Sequence, residues 1–257
     1  MKSLKELYAY REMIFMLVRR DLRGRYQASI LGFLWTFVNP LLQLAVYTLV
    51  FSTIMRFNID KYYLFLFVAL IPWMFMATSV SGGCMSIVAQ KDMVTKIYFP
   101  RQVLPIAHVT TCFVNMLLCL VVVLAVVGIS IGINAVALIY LIPVMLIEYV
   151  LALGLTLIFS AVTVYFRDME HILGIVVMAW QFLSPVMYPI DWIPEKLQGL
   201  FYLNPMTSVI HAYRTILYYK ALPDLSTMLL SLGMGIFCMI VGWFVFGKLQ
   251  KNFAEEL

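Results

Sequence analysis

The chain has 257 residues, of which 63% are hydrophobic and 12% charged, more apolar surface than one soluble core of that size can bury. That excludes a soluble domain and predicts an all-α integral membrane protein, because apolar runs near or above the ~18–20 residues needed to cross a bilayer recur along it. The net charge of +5 sits in the connections between those runs rather than in one stripe, which excludes a nucleic-acid partner and fits membrane topology.

Residues 4–20, LKELYAYREMIFMLVRR, place Leu4, Leu7, Tyr8, Ile14, Phe15 and Val18 on one helical face, with Lys5, Glu6, Glu12 and Arg20 opposite. That pattern predicts an amphipathic interface helix lying in the membrane surface. The charged start, without a short apolar core before a small-residue site, argues against a cleavable signal peptide. Six spans follow, near 30–55, 63–89, 104–130, 136–164, 172–189 and 226–247; the fifth is marginal in length and runs into Pro185 and Pro189. With the N-terminus inside, the inner segments hold 13 Lys and Arg and the outer ones 5, so both termini are expected in the cytoplasm. No internal repeat or low-complexity linker divides the chain, which reads as one domain.

The polar interruptions are where function is sought. Asn39 and Pro40 lie in the first span and Pro72 in the second, read either as structural kinks or as substrate contacts. Between the second and third spans, DMVTKIYFPR (92–101) predicts a short cytoplasmic helix, capped by Asp92, running through Tyr98 and ended by Pro100. It either rests on lipid or docks into a groove on a cytoplasmic partner, with Lys96 and Arg101 setting its register. Glu148, deep in the fourth span, either faces a wet cavity or is a neutral acid bonded to a neighbouring helix. RDMEH (167–171) could be a metal or catalytic cluster; the blander account has Asp168 capping the next helix and Arg167 anchoring to headgroups.

On the outer side, Asn204 is a helix N-cap and Pro205 the first helical residue, with Met206, Val209, Ile210, Tyr213, Ile216 and Leu217 at helical spacing. Helices over 193–202 and 205–220 are expected to dip into the outer leaflet and return. Gly128 and Gly132 form a weak G-x-x-x-G packing signal. Cys84, Cys112, Cys119 and Cys238 read as small buried hydrophobes, and no metal or redox spacing is present. GWFVFGKL (242–249) has the spacing of a phosphate-binding loop, but Leu249 stands where the magnesium-binding hydroxyl belongs and the residues between are bulky and apolar. The chain is therefore expected to bind no cofactor and to hydrolyse no ATP by itself.

Six stretches occur in one order: RDLRGRYQASILGFLWTFVNPLLQLAVYTLVF (20–51), LIPWMF (70–75), KIYFPRQVLPI (96–106), VYFRD (164–168), SPVMYPIDWIPE (184–195) and NPMTSVIHAYR (204–214). Together they resemble the permease subunit of bacterial ABC exporters for lipid-linked polysaccharides, the O-antigen, teichoic acid, capsule and rhamnan type. The resemblance implies a homodimer with six transmembrane helices per protomer in the bacterial plasma membrane. Two copies of a separate cytoplasmic ATPase would hold ATP and Mg2+. It implies a coupling helix over 92–99, with Asp92, Met93, Lys96, Ile97, Tyr98, Phe99 and Arg101 meeting the ATPase. The re-entrant outer helices become a gate, with Asn204, Pro205, His211 and Arg214 as its candidate residues. Arg19, Arg20, Arg23 and Arg25 then anchor the inner end and steer the diphosphate of a polyprenyl-linked substrate.

Sugars stack their C–H faces on aromatic rings, and Phe37, Trp73 and Trp180 are the candidates to line a channel; Trp192, Tyr202, Tyr218 and Tyr219 fit an interfacial belt. The alternatives are a permease for drugs or small lipids and a polyprenyl-lipid glycosyl- or acyltransferase. The latter lacks clustered carboxylates outside RDMEH.

Overall fold

The computed structural model describes residues 2–24 and 31–257, and the described residues with regular structure are helical. The amphipathic stretch forms two helices, α1 (Lys2–Ala9) and α2 (Arg11–Gly24), joined at Tyr10, whose amide donates to the carbonyls of Glu6 and Leu7. The buried stripe runs through Leu7, Leu17 and Val18, while Tyr8 and Phe15 stay exposed. The inward face is thus rotated from the expected one, because α2 packs on the bundle rather than only on lipid.

Gly32–Leu34 make a 3-10 turn into α3 (Trp35–Thr48), which loosens into a π-helical segment over Leu49–Ile54. Pro40 cannot donate to the carbonyl of Thr36, four residues back; the Cys119 thiol donates to that oxygen instead, at 3.3 Å. α4 (Tyr62–Gly83) is apolar on every side and buried on almost every side, as a central helix must be. α5 (Lys91–Lys96) leads to α6 (Val103–Ser130). α7 (Ala135–Ile139) and α8 (Leu141–Tyr165) together form the next crossing.

α9 (Met169–Phe182) has 14 residues, about 21 Å and short of a bilayer core of about 30 Å. It starts before the expected 172 and stops well before 189. Asp168 stands at its N-cap without a side-chain capping bond. α10 (Glu195–Tyr202) and α11 (Pro205–Leu217) form a hairpin, and α12 (Leu225–Leu249) and α13 (Phe253–Glu256) end the chain. Among the described residues, five helical stretches are long and apolar enough to cross a membrane, and α9 is shorter.

Contacts sort the connections into two ends. At one, Arg20 reaches Gln90, and Tyr165 donates to the carbonyl of Leu249 at 2.9 Å. At the other, Lys61 donates to Ser130, Asn134 to Lys220, and Phe57 meets Trp192 edge-on with ring centroids 4.7 Å apart.

The tightest helix contact joins α8 and α12 through glycines that sequence reading passed over. A Cβ on Gly154 would lie 2.6 Å from the backbone of Cys238, and one on Gly242 would lie 2.4 Å from the carbonyl oxygen of Gly154. Backbones approach this closely only where no side chain intervenes. The expected Gly128–Gly132 pair does not pack helices. Gly128 faces only the Ile133 side chain, and Gly132 makes the turn after α6 at φ 77°.

Candidate functional site

At the end carrying the N-terminal helices, α5 stops at Lys96, three residues before the expected 99, because Ile97 is extended at φ −126° and ψ 135°. Asp92 does not cap the helix. Its carboxylate accepts from Lys96 Nζ at 2.9 Å, one turn on, and that hydrogen bond and charge hold the carboxyl below its usual range. Met93 is half-buried, and Val94 and Phe99 are buried, so they fasten the segment to the bundle. Ile97 is 59% exposed and Tyr98 94%, a pair of large side chains with nothing of this chain over them. Arg101 donates to the carbonyl of Gln250 and lies 5.8 Å from the Phe253 ring, turned toward the C-terminal segment.

On α2, Arg20 pairs with Asp21 at 3.1 Å. Arg19 and Arg23 are exposed one turn apart at the rim of an apolar groove of about 720 Å³ that includes Phe15, Val18, Phe33 and Leu118. Arg25 lies outside the described residues.

At the opposite end, the α10–α11 hairpin has its bend at Asn204. As the Asn-Pro pair predicts, Asn204 Oδ1 accepts from the Met206 amide at 3.1 Å. The same oxygen accepts from Trp180 Nε1 at 2.9 Å, and the Asn204 amide donates to Ser184 Oγ at 2.8 Å. One side chain therefore ties the start of α11 to the end of α9. Pro205 opens α11 and His211 is half-buried within it. α11 is buried between its neighbours rather than lying along a surface.

Arg214 is 3% exposed. Its guanidinium stacks 3.6 Å from the Phe65 ring centroid and donates to the carbonyls of Pro185 at 2.5 Å, Val186 at 2.5 Å and Tyr188 at 3.1 Å. Tyr62 donates to the remaining carbonyl, Met187, at 2.8 Å. The turn after α9 has no helical bonds of its own here, and buried backbone outside a helix is tolerated only when other groups satisfy it. Arg214 and Tyr62 are what let α9 stop early. Nothing local in the sequence marks this role of the expected gate residue Arg214, since only the fold brings position 214 to position 185.

Trp73 is buried and meets Trp180 edge-on, with ring centroids 5.6 Å apart; Trp180 also borders a recess with Leu200 and Pro205. Phe37 is half-buried, edge-on to Phe33 at 5.4 Å. Glu148 is fully buried and accepts from the Tyr213 hydroxyl at 2.8 Å. Its other oxygen has no partner among the described residues. Of the two readings, the enclosed hydrogen-bonded one matches this geometry. Gly242 and Lys248 lie within continuous α12, where no phosphate-cradling loop exists. Arg167, Asp168 and Glu170 are exposed, and no metal-holding cluster occurs among the described residues.

Helical crossings, a clasped turn next to a hairpin and an exposed apolar tip at the opposite end define a multi-pass α-helical membrane protein. Residues 12–218 match the family of ABC-2 type transporters, and the chain belongs to it. It is 38% identical over 259 residues to the O-antigen export system permease protein RfbA of Myxococcus xanthus, covering 100% of this chain and 99% of that protein. It is 31% identical to a protein of the same name from Klebsiella pneumoniae, over 96% of this chain and 95% of the relative. Identity to the polysialic acid transport protein KpsM of Escherichia coli is 26%, over 76% of this chain and 77% of that protein.

Proposed function

We propose that the chain is the transmembrane subunit of an ATP-driven exporter that moves a polyprenyl-linked polysaccharide from the cytoplasmic to the outer side of the bacterial plasma membrane. The observation that carries this is similarity along the full chain to O-antigen export permeases. In this reading the protein is a homodimer of six-span protomers, α9 and its clasped turn making the fifth crossing, with both termini cytoplasmic. Two copies of a cytoplasmic ATPase bind ATP and Mg2+ and push on α5 through Ile97 and Tyr98. The α10–α11 hairpin closes the outer side between strokes. Arg19 and Arg23 draw the substrate diphosphate to the inner leaflet.

The test is to purify the tagged chain from its native operon, with and without Ile97→Asp/Tyr98→Asp. A stoichiometric soluble ATPase, lost in the variant, is the expected result. Glycan export that survives the variant, with no ATPase co-purifying from gently solubilised wild-type membranes, overturns the reading.

A further inference from the structure

α13 spans only Phe253–Glu256, far short of the ~12–15 residues that a helix needs to persist alone in water. A short run after the last crossing frays unless something ties it down. Phe253 is fully buried, edge-on to Phe246 at 5.5 Å and to Tyr165 at 6.3 Å. Tyr165, the last residue of α8, donates to the carbonyl of Leu249 at 2.9 Å. Arg101 donates to the carbonyl of Gln250 and lies 5.8 Å from the Phe253 ring.

Both carbonyls fall at the end of α12, where a helix leaves its last carbonyls without amide partners. Their donors come from two different elements, the end of α8 and the stretch that joins α5 to α6. Residues 250–257 therefore form a strap that ties those elements together, and α13 touches both α5 and α8.

The stretch after α5 has little else to hold it. Ile97 leaves the helix in an extended conformation. Among the described residues, the backbone amides of Tyr98, Phe99, Arg101 and Gln102 donate to no backbone carbonyl. Side chains do the anchoring instead: buried Val94 before the exposed Ile97–Tyr98 tip, and buried Phe99 and strapped Arg101 after it. The strap continues from α12, which the close backbone contact at Gly154 and Gly242 locks to α8.

We infer that residues 250–257 position the Ile97–Tyr98 tip, with Arg101 and Phe253 as positioning residues, so that a push received at the tip is delivered to the α8–α12 pair. This rests on the export reading above, in which a partner ATPase supplies the push. Arg101 then acts inside the protomer rather than on the ATPase.

The test compares the wild-type complex with Phe253→Ala and Phe253→Leu; leucine keeps much of the buried volume but not the ring beside Arg101. Hydrogen exchange over 94–99 is measured in nanodiscs, on the complex and on the chain alone. Surface glycan is measured in cells, and ATP hydrolysis on the purified complex. Phe253→Ala is expected to keep its ATPase, to exchange about tenfold faster over 94–99, and to export about tenfold less glycan per ATP hydrolysed. Phe253→Leu should fall between it and wild type. Wild-type exchange over 94–99 in Phe253→Ala overturns the inference. So does export that falls in the same proportion as hydrolysis, or loss of the folded chain in both variants, either of which marks Phe253 as packing alone. A wild-type chain that brings down no ATPase overturns the export reading instead, and exchange on the chain alone still decides whether the strap holds the tip.

Discussion

Arg214 sets an unusual local balance: a buried cation whose partners are backbone carbonyls and an aromatic face rather than a carboxylate. Replacing it leaves several enclosed carbonyls without donors, at about 1–3 kcal/mol each. Arg214→Ala is therefore expected to lower the stability of the detergent-purified protein by at least about 3 kcal/mol, measured by thermal unfolding monitored through size-exclusion chromatography. Arg214→Lys should fall between wild type and Ala, because one ammonium cannot span the carbonyls that a guanidinium fork reaches. Equal stability of all three proteins would remove the clasp. Asn204 is the other residue whose chemistry was legible in part. Its capping bond follows from the Asn-Pro pair, whereas its bonds to Trp180 and Ser184 depend on where α9 ends.

Among elements, α8 and α12 depend on contact between main chains. Gly154→Ala or Gly242→Ala places a methyl group inside neighbouring backbone. Either should cost about 1–3 kcal/mol or more, by forcing the helices apart. Gly128→Ala, which meets only the flexible Ile133 side chain, should cost far less in the same unfolding assay; the reverse order would refute the packing described. α12 also begins with a pH-sensitive cap. Asp224 accepts from the Thr227 amide and the Ser226 hydroxyl, and those bonds hold its carboxyl below the usual range. A depressed folded-state pKa contributes stability above the unfolded value of about 3.9, lost as pH falls through the folded one. Asp224→Ala should thus melt below wild type at pH 7, with the gap closing as the pH drops below about 4. A gap independent of pH would show that the cap carries none of it.

At the scale of the whole molecule, α3 and α9 leave apolar faces uncovered by the protomer, including Leu42 and Val46 on α3 and Ile175 and Phe182 on α9. In the dimer proposed here these faces meet the second copy. Val46→Cys, oxidised in native membranes, is expected to yield a species of twice the 29.5 kDa protomer. Cross-linking at exposed Phe244 on α12 in place of Val46 would move the interface elsewhere.

Apolar runs and proline positions were enough by themselves to determine an all-α membrane protein, its long crossings, a polar interruption at 92–101 and the start of α11. All of these follow from local hydropathy and from backbone chemistry that each residue carries wherever it sits. The ordered motifs were likewise enough to indicate the family. Only the tertiary structure decided that α5 ends at Lys96, that α9 stops at Phe182, and that Gly154 and Gly242 rather than Gly128 and Gly132 bring helices together. Each of these depends on a partner distant in the chain: a guanidinium satisfying carbonyls 26 to 29 residues away, a thiol on α6 taking the oxygen released by a proline in α3. Local sequence states what a residue needs, and the fold determines which other residue supplies it.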